Sequence, residues 1–144
     1  MYQLKSDDSA DLNNQLREHI VAFNAAHFNA ERIPVGFKLV NKQNSVVAGI
    51  HGQVFGNWLL ISWLWCDDKT RGKGLATRLL NELESKAKAL GANTAQLDTL
   101  DFQAKPFYEN NGYLVKYEMR NYPLDGCRYF MEKAFKYQLL LTSL

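Results

Sequence analysis

The spacing of apolar residues predicts a helical first part followed by a segment that forms a sheet. Near the start, apolar residues recur at intervals that place them on one helix face, at Leu12, Leu16, Ile20 and Phe23. This spacing predicts one or two helices up to about residue 29. Residues 2–5 are predicted to form a short strand before them. Pro34 and Gly36 are predicted to end the helical part.

From Phe37 onward the period changes from helical to extended. Residues 37–40, 46–55 and 58–66 are predicted strands, separated by polar turns at 41–45 and 56–57. Such short turns predict an antiparallel meander. The third strand is apolar at nearly every position, so we expect it to be central and covered on both faces. Simple alternation predicts that Trp63 and Trp65 share one face of this strand and that Trp58 lies on the other.

A second helical pattern begins after the third strand. Its apolar face consists of Leu75, Leu79, Leu80, Leu83, Ala87 and Leu90, and Gly91 is placed to end the helix. A short strand at 95–98, a short helix at 103–110 and two closing strands at 113–121 and 128–135 follow. This order predicts a mixed α+β fold, with a mostly antiparallel twisted sheet of six to seven strands flanked by helices. Parallel pairing is expected only around the long helix.

Length and charge narrow the class of protein. A chain of 144 residues is long enough for one domain with a sizeable core. Seventeen basic and 15 acidic residues give a net charge of +2, without the basic excess expected of a nucleic-acid partner. The two cysteines, Cys66 and Cys127, do not form a disulfide framework, and no Cys/His cluster has metal-ligand spacing. We therefore expect neither a nucleic-acid partner nor a metal.

No targeting or membrane segment is predicted. Residues 1–8 contain no apolar run of the kind found in a secretory signal. The longest apolar stretch, residues 58–66, is too short to cross a bilayer as a helix. The expectation is a protein of the cytoplasm with no membrane partner.

The segment with the clearest chemistry is Arg71-Gly72-Lys73-Gly74, which lies between a buried strand and the start of the long helix. The first N–H groups of a helix have no internal partner and carry the positive end of the helix dipole. Glycines let a diphosphate approach those groups closely. Arg71 and Lys73 add positive charge, and Thr77 offers a hydroxyl in the first turn. The arrangement predicts a diphosphate-binding turn.

This turn resembles a signature of the GNAT superfamily of N-acetyltransferases, Gln/Arg-x-x-Gly-x-Gly/Ala, which Arg71, Gly74 and Ala76 match. In that family the turn holds the diphosphate of acetyl-CoA, and a splayed central strand pairs with its pantetheine arm. The resemblance implies acetyl-CoA as co-substrate, with a binding set made of Leu64, Trp65, Cys66, Arg71, Gly72, Lys73, Gly74, Leu75, Ala76, Thr77 and Phe107.

A second segment, residues 101–113, resembles the GNAT pattern Asn-x-x-Ala-x-x-Phe-Tyr-x-x-x-Gly-Phe. The matches are Ala104, Phe107, Tyr108, Gly112 and Tyr113, whereas Asp101 stands where Asn is usual. Residues 102–104 and 129–133 also resemble a subgroup of small bacterial acetyltransferases, and the whole resemblance covers residues 37–135. It implies that Tyr108 is the general acid that protonates the departing CoA thiolate.

Several alternatives stay open. The base that accepts the amine proton could be His51, Asp67, Asp68, Asp98 or water. A β-bulge in the central strand is expected to free a backbone N–H near Leu64 or Trp65 for the acetyl carbonyl. Cys66 has no adjacent His to activate it, so direct transfer is expected instead of an acyl-cysteine.

The domain prediction is a single GNAT domain over residues 1–144. Residues 1–36 would form the acceptor side, residues 37–135 the acetyl-CoA core, and residues 136–144 an apolar tail. The tail is predicted to pack across a homodimer interface or, alternatively, on its own domain as an added strand or helix. The predicted function is transfer of acetyl from acetyl-CoA to the amine of a small molecule or peptide. The alternative is a non-catalytic acyl-CoA-binding module on the same fold.

Overall fold

The structure is a computed structural model that describes residues 1–136. The chain divides into two compact units, Met1–Glu31 and Arg32–Leu144. The predicted tail and its dimer role therefore lie mostly outside the described residues. The domain prediction over the whole chain stays a prediction.

The first unit contains one helix, α1 (Ala10–Ala25). Ser9 caps it, because its hydroxyl oxygen accepts a hydrogen bond from the Leu12 N–H at 3.1 Å. Asp7 in turn accepts from the Ser9 N–H at 2.9 Å. The predicted helix is thus confirmed as a single element that ends earlier than expected. The strand predicted at residues 2–5 is wrong, since these residues form no strand.

Over residues 32–136, the second unit is a six-stranded sheet with two α-helices. In chain order its elements are β1 (Arg32–Val40), β2 (Val46–Phe55), β3 (Trp58–Cys66), α2 (Leu75–Ala89), β4 (Thr94–Leu100), α3 (Lys105–Asn110), β5 (Leu114–Arg120) and β6 (Cys127–Ala134). The spatial order is β1-β2-β3-β4-β6-β5. Among the strands of the described part of the chain, only β3 and β4 pair in parallel, on either side of α2, as the sequence predicts. The predicted mixed α+β fold is confirmed, with six strands.

Local side-chain chemistry explains the first hairpin. The Asn41 side-chain oxygen accepts from the Gln43 and Ser45 N–H groups, each at 3.0 Å, so one short polar side chain organises the turn. The next turn has Gly56 in the left-handed region, at φ 58°. The Asn41 hydrogen bonds and the left-handed backbone of Gly56 form the two tight turns that join β1, β2 and β3 in the predicted meander.

The start of β1 differs from the prediction, because Pro34 and Gly36 lie inside the strand instead of before it. β1 lies at the edge of the sheet and has β2 as its one neighbour. The N–H group that a proline lacks is therefore not needed to pair with a second strand. Gly36 lies opposite His51, and a Cβ there would be 2.8 Å from the His51 ring. Both residues are thus accommodated by the edge of the sheet.

The core lies between the sheet and the apolar face of α2. The predicted helix face is buried, with Leu79, Leu80, Leu83 and Ala87 each at most 2% exposed. They belong to one cluster with apolar residues of the strands, among them Val35, Ile50, Val54, Leu59, Leu97 and Met131. Gly91, at φ 102°, ends α2 as predicted. Burial of this face fixes α2, and with it the turn that precedes it.

Candidate active site

The loop from β3 to α2 places a row of backbone groups at the helix start. β3 ends at Cys66, a short 3-10 turn spans Asp68–Thr70, and Gly74 occupies the N-cap position of α2. Gly72 and Gly74 both have left-handed backbones, at φ 79° and 73°. A Cβ at either would meet no atom within 4 Å. No side chain caps this helix, so its first N–H groups face an open approach suited to an anion.

A cavity of about 700 Å³ extends from this turn. Eleven residues of the site predicted from the sequence line it together: Leu64, Trp65, Cys66, Arg71, Gly72, Gly74, Leu75, Ala76, Thr77, Phe107 and Tyr108. Lys73 is the predicted binding residue that does not line it. The sequence prediction missed four lining residues, Thr70, Phe102, Gln103 and Ala104. The second motif contains three of these, but it carried no sign that they face a ligand.

The neighbouring strands separate where the cavity opens. β3 and β4 pair at only three positions, from Trp58↔Thr94 to Leu60↔Gln96. On the other side of β3 the register with β2 shifts, since Gly52 pairs with Ile61 and His51 with Trp63. Ser62 is the extra residue of a β-bulge, which confirms the expected bulge and locates it before Leu64. A strand with no neighbour on one side can pair with an extended ligand.

The bulge overturns the prediction for the three tryptophans. Residues directly opposite one another in a pair of strands point to the same face. Leu59, Ile61, Leu64 and Cys66 lie opposite Val54, Gly52, Ile50 and Ala48, on the core side. The extra residue reverses the alternation after Ile61, so Trp58, Trp63 and Trp65 share the other face. They are 38%, 76% and 54% exposed, so the prediction that both faces of β3 are covered is also wrong.

Tyr108 lies on α3 and is 7% exposed. Its ring packs edge-on against Phe107 and Tyr113, with centroids 5.2 and 5.8 Å apart. Burial raises the pKa of Tyr108 to about 12, and the charges of Asp98 and Cys66 add to the rise. The phenol is therefore protonated at any ordinary working pH.

Gln103 orders the turn that leads into α3. Its side-chain oxygen accepts from the Leu100 N–H at 2.8 Å and lies 3.3 Å from the Thr99 hydroxyl. The end of β4 and the start of α3 are thereby joined next to the cavity. Gln103 thus lines the cavity and also stabilises the turn between β4 and α3.

The candidate bases differ in their surroundings. Asp68 pairs with Arg71 at 3.1 Å, and both side chains are mostly exposed, so this ion pair is weak. The N–H of Asp67 donates to the Val47 carbonyl at 2.8 Å. Asp98 pairs with Arg128 at 2.8 Å and is the one candidate among these whose charge acts on Tyr108. Asp98 is therefore the candidate base with an electrostatic link to the phenol.

His51 and Asp98 lie on the face of the sheet that carries the tryptophans. His51 is opposite Trp63 in the ladder. Trp58 pairs with Thr94, and alternation along β4 places Asp98 on the same face as Thr94. The gap between β3 and β4 is therefore bordered on this face by a carboxylate and indole rings.

Cys66 is half-buried at the end of β3. Burial raises the pKa of its thiol, and Arg71 opposes this only partly. A raised thiol pKa lowers the thiolate fraction, and the thiolate is the nucleophile.

Within residues 1–136, no group of His, Cys, Asp or Glu side chains is placed to hold a metal ion. No helix in this part of the chain is long and apolar enough to cross a membrane.

An uncapped helix start with open space before it, beside a splayed parallel strand pair, is an arrangement suited to a long ligand that carries a phosphate group. The sequence model of the acetyltransferase (GNAT) family matches residues 1–113. The chain belongs to this family. Its resemblance to GNAT proteins, first seen in two short motifs, is thereby confirmed.

Individual relatives agree with the family assignment. An acetyltransferase of Agrobacterium fabrum is 30% identical over 72% of this chain and 77% of its own length. The blasticidin-S acetyltransferase of Streptomyces morookaense is 35% identical over 57% of this chain, which spans 61% of that protein. Both relatives are acetyltransferases by name.

Solved structures share the fold. An acetyltransferase from Bacillus cereus superposes with a TM-score of 0.82 at 24% identity, covering 92% of this chain and 98% of its own. A protein from Bacillus anthracis assigned as a streptothricin acetyltransferase was solved in complex with acetyl coenzyme A. It superposes with a TM-score of 0.65 at 18% identity, covering 78% of this chain and 68% of its own.

Proposed function

We propose that this chain binds acetyl-CoA in the cavity at the start of α2 and transfers its acetyl group to a primary amine of a small molecule or peptide. The observation that carries the proposal is the shape of one cavity, which joins the glycine turn to Tyr108. The diphosphate is proposed to accept from the N–H groups at the helix start, with Thr77 nearby. The pantetheine arm is proposed to run beside Leu64, Trp65 and Cys66, where β3 still pairs with β2 but has no partner on its β4 side.

The proposed reaction is a direct attack. The neutral amine adds to the thioester carbonyl, a C–N bond forms, the C–S bond breaks, and the thiolate takes the proton of Tyr108. The nitrogen then releases one proton, and the phenolate regains one from solvent, so that the cycle closes. A backbone N–H near Leu64 or Trp65, beyond the bulge, is proposed to stabilise the carbonyl oxygen. A phenol with a pKa of about 12 is a weak acid. Its contribution is therefore expected at the lower end of general acid catalysis, about a hundredfold.

Asp98 is proposed to take part in the removal of the amine proton, directly or through water. It lies on the face that carries the tryptophans, and its carboxylate is held by Arg128 at 2.8 Å. A cationic amine approaching from this face would meet aromatic rings, which favour it, and a carboxylate whose charge is already balanced by Arg128. The remaining candidates, His51, Asp67 and Asp68, are kept as alternatives.

The test measures free thiol released from acetyl-CoA in the presence of polyamines, aminoglycosides, amino acids and peptides. Blasticidin S and streptothricin join the panel, because relatives or structural neighbours of this chain carry those names. The proposal predicts release that depends on the amine and that saturates with acetyl-CoA. Tight CoA binding without release by any amine would favour the alternative, a non-catalytic acyl-CoA-binding module.

A further inference from the structure

Glu84 is a carboxylate buried in the middle of the apolar face of α2. Only 5% of it is exposed, while its helix neighbours Leu80, Leu83 and Ala87 are fully buried hydrophobic residues. A buried charge is costly unless its oxygens are satisfied. Both oxygens of Glu84 have a partner. Packing of α2 alone gives no reason for a carboxylate at this position.

The two partners come from different parts of the sheet unit. The Tyr113 hydroxyl donates to one Glu84 oxygen at 2.8 Å, and the Lys133 ammonium donates to the other at 2.7 Å. Lys133 also lies 5.6 Å from the centre of the Tyr113 ring. We call Glu84, Tyr113 and Lys133 the buried triad. It joins α2, the residue directly before β5, and β6.

Tyr113 is in turn bound to Tyr108 in two ways. Its N–H donates to the Tyr108 carbonyl at 3.0 Å, and the two rings meet edge-on at 5.8 Å. Gly112 allows the sharp turn that leads into Tyr113, since its φ of 91° lies in the left-handed region. Movement of Tyr113 would therefore move Tyr108.

The proposed reaction depends on the distance between two points of one bound molecule. The diphosphate end is held at the start of α2, and the thioester end lies at Tyr108 on α3. The pantetheine arm between them can span only a limited distance, so a change in the spacing of the two helices would move the thioester relative to Tyr108. Apolar packing alone tolerates small sliding, whereas a hydrogen bond with a buried charge fixes one geometry.

We propose that Glu84 is a positioning residue that, through the Tyr113 hydroxyl, fixes the Tyr108 phenol relative to the glycine turn of α2. The inference rests on the proposed function. Glu84 touches no reacting atom, and its effect passes through Tyr113.

The test compares Glu84→Gln and Tyr113→Phe with Ala87→Gly. Ala87 is a fully buried residue of the same helix that belongs to no contact of the buried triad. Tyrosines carry a carbon-13 label at the ζ carbon, and the Tyr108 resonance is identified as the one lost in Tyr108→Phe. It is recorded in the free protein and with CoA. With an amine that is acetylated, kcat and the KM for acetyl-CoA are measured well below the melting temperature.

Both triad variants are expected to shift or broaden the Tyr108 resonance and to lower kcat at least about tenfold, with KM for acetyl-CoA changed less than about twofold. Ala87→Gly is expected to lower the melting temperature without either effect. A wild-type Tyr108 resonance in both triad variants, or an equal change in Ala87→Gly, would overturn the inference. The Tyr108 resonance can be recorded without an acceptor amine, so it tests the role of Glu84 even when no amine is acetylated. The absence of any acetylated amine would refute the proposed function instead.

Discussion

At the scale of single residues, the account depends most on Tyr108. It is buried and protonated, and it shares its cavity with the glycine turn. Tyr108→Phe removes the proton donor and keeps the ring that packs on Phe107 and Tyr113. We expect kcat to fall about a hundredfold and the dissociation constant for CoA to stay within about twofold. Thiol release and calorimetric CoA titration measure the two quantities, and an unchanged kcat would remove the acid role.

Two glycines of similar backbone conformation allow a matched test of the turn. Gly74 and Gly91 both have positive φ, and a Cβ at either meets nothing within 4 Å, but only Gly74 lines the cavity. Gly74→Glu is expected to weaken CoA binding at least about a hundredfold, because a carboxylate would repel the diphosphate. Gly91→Glu carries similar backbone strain and should leave CoA binding intact. Equal losses in calorimetric titrations would show that strain alone is responsible.

Particular residues show which parts of the site could be predicted from the sequence and which could not. The turn was predictable because a glycine pair before a helix has a local physical meaning, and eleven of the predicted residues do line one cavity. Asp98 could not be separated from the other acidic candidates. Its relation to Tyr108 arises from the packing of α3 against the sheet, and no local spacing encodes that contact. Glu84 likewise reads as part of an ordinary helix until Tyr113 and Lys133 are brought to it.

At the scale of elements, the bulge between β2 and β3 determines which residues of β3 face the cavity. Gly52 lies beside it, and a Cβ there would be 2.4 Å from the Leu60 carbonyl oxygen and 3.1 Å from the Ile61 Cα. These are backbone atoms, so the strands must shift to admit a methyl group. Gly52→Ala is expected to cost about 1–3 kcal/mol of unfolding free energy and to weaken CoA binding.

Gly49→Ala is the matched control on the same strand. A Cβ at Gly49 would lie at an ordinary distance of 3.5 Å from the Phe37 carbonyl oxygen. Urea unfolding of both variants measures the difference in stability. A Gly52→Ala protein as stable as Gly49→Ala would contradict the crowding at the bulge.

The elements that the sequence predicted well are those with a strong local signal. The polar turns around residues 41–45 and 56–57 and the apolar face of α2 are of this kind. The errors have tertiary causes. β1 continues through Pro34 and Gly36 because an edge strand tolerates them. The faces predicted for the tryptophans were wrong because one extra residue in β3 reverses the alternation of side chains. A bulge of this sort has no signature in a run as uniformly apolar as 58–66.

At the scale of the whole molecule, two buried tyrosines make stability depend on alkaline pH. Burial raises the pKa of Tyr108 to about 12 and that of Tyr113 further above its ordinary value, with the Glu84 charge adding to the latter. Exposed tyrosines in the unfolded chain ionise near pH 10. Below that pH both states hold these protons, so the contribution to stability is complete. Above it the unfolded chain releases them first, and stability falls.

Urea unfolding between about pH 9 and pH 11 tests this dependence. Each tyrosine should contribute a slope approaching about 1.4 kcal/mol per pH unit above pH 10. Tyr113→Phe should be less stable at neutral pH but lose stability less steeply on the alkaline side. If the free energy of unfolding falls with pH in parallel for wild type and Tyr113→Phe, Tyr113 is not responsible for the loss of stability at alkaline pH.

The oligomeric state remains a prediction, because it rested on an apolar tail that lies outside the described residues. Sedimentation equilibrium of the full chain tests it directly. A mass of twice 16.5 kDa would agree with the predicted homodimer, and a monomer across the accessible concentrations would contradict it.

In the proposed reaction, one cavity binds acetyl-CoA, and the acetyl group passes directly from CoA to an amine. The most direct measurement uses acetyl-CoA labelled with carbon-13 in the acetyl group and follows the label by mass spectrometry in both the amine and the protein. The account predicts labelled acetyl amide in amounts equal to the thiol released, lowered in Tyr108→Phe, with no labelled acyl group on Cys66. Label accumulating on the protein before it reaches the amine, or thiol release without acetylated amine, would contradict it.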